Sequence, residues 1–122
     1  MTTKGISTRD LTREARESSH SESYHVLKRT DHYRIGAGAV LKSSGRADFY
    51  VEVLIGLCAP STTTILLDLE RKLHFAKELE ARHYSLDCQD GSYIACEKTI
   101  PERNLATEYD EINALALTIF SK

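Results

Sequence analysis

The chain has no tryptophan, one methionine, two prolines and three cysteines in 122 residues, and what it lacks narrows its function before any motif is read. Cys58, Cys88 and Cys96 are odd in number and have no CxxC spacing. That argues against a disulfide framework and against a zinc ribbon. A reducing, cytoplasmic compartment is therefore expected. The net charge of -2 is too small for a broad nucleic-acid or membrane footprint. No apolar run approaches the roughly 20 residues that span a bilayer, and the first residues lack the apolar core of a secretory signal. No nucleophile elbow or ordered triad spacing is present. In RIGAGAVLKSSGR the glycines Gly36, Gly38 and Gly45 fall inside a strand and at a hairpin tip. None opens a helix, as phosphate-binding loops require.

What is present suits one globular domain: 41% of the residues are apolar and 28% charged. A chain of this size buries about two thirds of its unfolded surface, so no structural metal or disulfide is needed. Polarity is uneven along it. Residues 1–22 are rich in Ser, Thr, Arg and Glu with few large apolar groups, the composition of a mobile polar arm. Residues 23–122 form the expected domain, in which Tyr24–Lys28 adds a short edge strand at most. Met1 to Arg34 carries seven basic and five acidic residues, or +2, and the remainder carries nine and thirteen, or -4.

From Tyr33 the pattern alternates with the period of a half-buried strand, and Phe49, Val51, Val53, Ile55 and Leu57 alternate again after Ser43-Ser44-Gly45. A type I turn with Gly45 in the left-handed bulge position pairs Lys42 with Arg46. Leu41 then faces Ala47, Ala39 faces Phe49, Ala37 faces Val51, Ile35 faces Val53 and Tyr33 faces Ile55. Every one of these pairs is apolar, which supports the register. Gly38 falls opposite Tyr50, so a ring over a glycine explains that position.

After Pro60, the residues Ile65, Leu66, Leu69, Leu73, Ala76 and Leu79 are spaced as one helical face. Tyr84–Glu97 returns to strand character around a turn at Gln89-Asp90-Gly91. That turn pairs Leu86 with Ile94 and Tyr84 with Cys96, placing Cys88 and Cys96 on one buried face about 13 Å apart. The sulfurs are too distant for a disulfide and read as small core residues. A last helix carries Leu105, Tyr109, Ile112, Leu115, Ala116, Ile119 and Phe120 along one side, started by a Thr99–Glu102 capping box or by Asn104.

These elements predict an α+β two-layer sandwich of ββαββα order: a four-stranded antiparallel sheet with both helices on one face, resembling a permuted ferredoxin-like arrangement. The architecture implies no particular function. His74 and His83 point to opposite sides of the first helix, and His20, His25 and His32 lack a ligand spacing, so neither a metal nor another cofactor is expected. The outer sheet face combines Val40, Tyr50, Leu54 and Tyr93 into a partly apolar surface of the kind that marks interfaces.

The leading expectation is a small, non-enzymatic interaction domain, homodimeric through the outer sheet face or an edge, with a further protein partner possible. One alternative is single-stranded nucleic-acid binding, with Tyr33, Tyr50 or Tyr93 stacking on bases and Arg9, Arg13, Arg16, Lys28 and Arg29 following phosphates. The acidic body of the domain opposes it. Another is an enzyme or ligand carrier whose pocket, between sheet and helices, gathers Tyr33, His74, His83 or Cys58.

Overall fold

The apolar alternation of residues 33–57 becomes a long hairpin in the computed structural model, which describes residues 22–42, 44–56 and 61–121. Strand β2 (Tyr33–Leu41) pairs with β3 (Arg46–Ile55) in the register expected from the turn, from Leu41 opposite Ala47 to Tyr33 opposite Ile55. The Lys42 amide donates to the Arg46 carbonyl at 2.9 Å, and Gly45 adopts a left-handed φ of 77°. Ile35, Ala37, Phe49, Val51 and Val53 are all buried on the resulting inner face. The pleat thus divides the hairpin into a core side and an outer side.

The sheet has five strands among the described residues, which corrects the four expected. Glu22, assigned to the arm from its composition, opens an eight-residue strand β1 (Glu22–Arg29) antiparallel to β2. Ser23 and His25 face inward, Tyr24 and Val26 outward, and a bulge between Val26 and Lys28 shifts the register. The connection is held by Thr30, whose Oγ1 accepts from the amides of His32 and Tyr33 at 3.1 and 3.2 Å. Such a side-chain-closed turn needs no glycine or Asn-Gly pair. Residues 1–21, and with them the rest of the expected arm, lie outside the described residues.

Helix α1 (Thr62–Ala81) starts at Ser61, whose hydroxyl accepts from the Thr64 amide at 3.2 Å. It ends where His83 takes a left-handed φ of 72°, with the Tyr84 amide donating to Leu79 and the His83 amide to Glu80. Strands β4 (Ser85–Gln89) and β5 (Tyr93–Pro101) follow, then a single 3-10 turn, Glu102–Asn104, and helix α2 (Leu105–Ile119). No side-chain cap forms at Asn104, and the Thr99 hydroxyl donates to Asp48 at 2.8 Å rather than closing a capping box. The inserted 3-10 turn moves the helix start away from Thr99.

The strand order is β1-β2-β3-β5-β4, with every neighbour antiparallel. Helix α1 packs across β3, β5 and β4, and α2 across β1 and β2. The core lies between these layers, where Phe75 meets Phe120 edge to face at 5.9 Å and Phe120 tilts onto Tyr33 at 4.9 Å. A polar cluster is tied in beside it: Tyr84 Oη donates to Glu108 at 2.6 Å, and Lys98 reaches the same carboxylate at 3.3 Å. Burial and then that hydrogen bond push the Tyr84 phenol well above its ordinary pKa. Among the described residues, no helix is long and apolar enough to cross a membrane.

Candidate functional site

Two surfaces qualify as candidates: the outer face of the sheet and the flank formed by α1 with the edge strand β4. On the outer face, the flat strips left by Gly36 and Gly38 are covered by the rings of Tyr24 and Tyr50, which stack with centroids 6.2 Å apart and planes 16° from parallel. Glu52 gathers this face together. It accepts from Tyr24 Oη at 2.6 Å and from Tyr93 Oη at 2.8 Å, with Arg34 at 3.5 Å. Tyr50 donates to Glu22.

Burial first, and then the hydrogen bonds to Glu52, push the Tyr24 and Tyr93 phenols up to about 12. Burial and Glu22 raise Tyr50 in the same direction. These hydroxyls therefore remain neutral donors, already committed to carboxylates. At one end of the face, burial acts to raise the Asp48 carboxyl, but bonds from Thr99 and Lys42 outweigh it and hold the group below its ordinary range.

The structure brings Tyr50 and Tyr93 into this one network and leaves Val40 and Leu54 apart. Val40 lies opposite Asp48, and Leu54 opposite Arg34 and Tyr93. Six residues of β3 separate the two positions, about 20 Å at ordinary strand rise. For nucleic acid the arrangement is poor: the tyrosines point their donors at Glu22 and Glu52, whose charge repels phosphate. Lys28 is drawn to the other side, donating to the Phe120 carbonyl at 2.6 Å, while Arg29 is exposed. Arg9, Arg13 and Arg16 lie outside the described residues.

The second hairpin departs from its expected register. A bulge between Leu86 and Cys88 puts Leu86 opposite Cys96 and Cys88 opposite Ala95, so the two cysteines fall on opposite faces. Cys96 is buried, and burial followed by the charges of Glu80 and Asp87 raises its thiol to about 11. Cys88 is an exposed free thiol. A neutral-pH alkylation time course with peptide mapping should show Cys88 labelled rapidly and Cys96 protected until unfolding; equal rates would contradict the bulged register. Cys58 lies outside the described residues.

The histidines do not meet Tyr33. His74 is exposed beside Glu78 at 3.9 Å, and His83 is exposed at the end of α1, whereas Tyr33 donates to the Phe120 carbonyl at 3.1 Å. Sequence reasoning missed the orientation of α1. The helix buries Asp68, Lys72, Phe75 and Leu79, and turns Leu66 and Leu73 outward at 60% and 50% exposure. The available signal was the Phe75–Leu79 pair at i,i+4, which competes with the leucine spacing for the core.

That outward stripe continues into the edge of the sheet. A groove of about 430 Å³ runs between Leu69, Lys72 and Leu73 on α1 and Gln89–Gly91 at the β4–β5 turn, and Lys72 spans it to the Asp90 carbonyl at 3.2 Å. Leu86, on the helix side of β4, is 43% exposed, and every residue of β4 is exposed. The flank thus joins an apolar helix stripe to an edge strand. No protein-family model, curated protein or solved structure matches this chain.

Proposed function

We propose that this chain is a small interaction domain without a catalytic role, self-associating through the flank of α1 and the edge strand β4. The observation that carries the reading is the leucine stripe turned out of the core, with Leu66, Leu73 and Leu86 exposed beside an uncovered strand. Contiguous apolar surface of this kind marks contact sites, and an open edge adds a row of backbone donors and acceptors.

The geometry favours a second copy. A two-fold axis normal to the sheet would pair β4 antiparallel with its own counterpart, extend the sheet across both copies, and keep both helix layers on the same side. The two α1 flanks then meet beside the strand pair, so one operation covers both features. A reducing, cytoplasmic setting suits the assembly because Cys88 would remain a thiol near the joint.

Sedimentation of the full chain at micromolar concentration is expected to give a dimer. The double variant Leu66→Glu, Leu73→Glu should sediment as a monomer with its circular dichroism unchanged, since neither side chain supports the core. A monomer at high micromolar concentration, or a dimer indifferent to both substitutions, defeats the reading.

A further inference from the structure

At the opposite side of α1 from the leucine stripe, its first turns and the β1–β2 connection line a half-open cavity of about 320 Å³. Asp68 lines it while only 2% exposed, and its Oδ2 has no hydrogen-bond partner among the described residues. The nearest cation-forming group is His32, whose Nδ1 lies 3.9 Å away, beyond hydrogen-bonding distance. A buried carboxylate oxygen left without a donor is costly. A ligand that supplies the donor recovers that cost.

The rest of the lining says which donor. Arg71 borders the same cavity one turn along the helix, and forms no ion pair with Asp68. Lys28 borders it too, its ammonium held by the Phe120 carbonyl. A simple cation would meet Lys28 and Arg71, with the His32 imidazole beside them, against one carboxylate, and a simple anion would face Asp68. A molecule carrying both charges satisfies each end. Leu67, 43% exposed, adds an apolar side chain to the same lining. The volume lies at the small end of ligand pockets, roughly 300–1,000 Å³.

We propose that this cavity binds a small zwitterion, an α-amino acid with an apolar side chain, whose ammonium donates to the Asp68 carboxylate and whose carboxylate accepts from Arg71. The site is separate from the self-association flank and does not depend on it. It requires no chemical step, since the match is one of charge, hydrogen bonding and size.

Calorimetric titration of the full chain with leucine and with phenylalanine tests it. Saturable binding at millimolar concentration or below is expected for at least one of them. It should weaken by roughly tenfold or more with isocaproate, which lacks the ammonium, and with isoamylamine, which lacks the carboxylate. Asp68→Asn and Arg71→Ala should weaken it similarly while the thermal melt stays cooperative. If Asp68→Asn does not fold, Arg71→Ala, on a partly exposed side chain, decides alone. No saturable heat with either amino acid overturns the proposal, as does unchanged binding in a folded variant.

Discussion

Gly38→Ala is expected to strip β1 from the sheet and to cost about 1–3 kcal/mol or more. A methyl group at this position would overlap the Ser23 backbone carbonyl, well inside van der Waals contact, and lie 2.5 Å from Tyr50 Oη. The tyrosine can swing away, but the carbonyl belongs to the strand paired with β2 and moves only if β1 moves. Replacing glycine by alanine in a strand otherwise favours folding by about 0.5–1 kcal/mol, less than the overpacking penalty, so the clash decides the sign. Gly36→Ala should be milder, because the atoms it meets belong to the half-exposed Tyr24 side chain. That ring can leave, giving up its bond to Glu52. Urea unfolding of the two variants, with amide exchange read at Tyr24 and Val26, checks the ranking. A Gly38→Ala protein as stable as the parent would show that β1 does not sit over this glycine.

The same two glycines show why one edge of the sheet was legible and the other was not. The β2–β3 register follows from sequence because a bulge-type turn and two apolar alternations agree, and any slip would turn Phe49 and Val53 to solvent. Tyr50 over Gly38 follows from the same arithmetic. Strand β1 has no such constraint: ESYHVLKR places a serine and a histidine inward, and its two outward apolar residues, Tyr24 and Val26, pair with Gly38 and Gly36 of the neighbouring strand. Its strand character depends on space that β2 provides, which no local window contains. The second hairpin fails differently. Its bulge at Leu86–Cys88 leaves the pattern plausible in the unbulged register, so the cysteines looked co-facial when they are not.

The outer face was legible in membership and not in chemistry. Alternation identifies Tyr50 and Tyr93 as outward residues, but only the three-dimensional pairing brings Glu22 and Glu52 to their hydroxyls. Glu22 and Glu52 are the acceptors that organise the face. Asp68 is the converse case. Its i,i+4 spacing to Lys72 suggests an exposed helical pair, yet both are buried, Lys72 extending to Asp90 and Asp68 facing the cavity.

Phe75→Ala should unfold the domain or cost about 3–5 kcal/mol, whereas Leu73→Ala should leave the dilute, monomeric protein within about 1 kcal/mol of the parent. The leucine spacing alone predicts the reverse. Phe75 is fully buried and meets Phe120, while Leu73 stands half exposed beside the groove. Rotation of α1 toward Phe75 and Leu79 has a visible cost, because it draws Asp68 and Lys72 under the helix and sends leucines outward. A monomer can bury one of the two stripes and not the other. Association through the α1 flank, as proposed, would bury both and would resolve the sequence conflict at the level of a dimer. Thermal melts at concentrations about a hundredfold apart separate the contributions: the parent's midpoint should rise with concentration, and that of Leu73→Ala should rise less. Phe75→Ala should lower the midpoint at both concentrations. A midpoint independent of concentration in the parent would leave the leucine stripe without a partner of its own kind, and would remove the reason for this rotation.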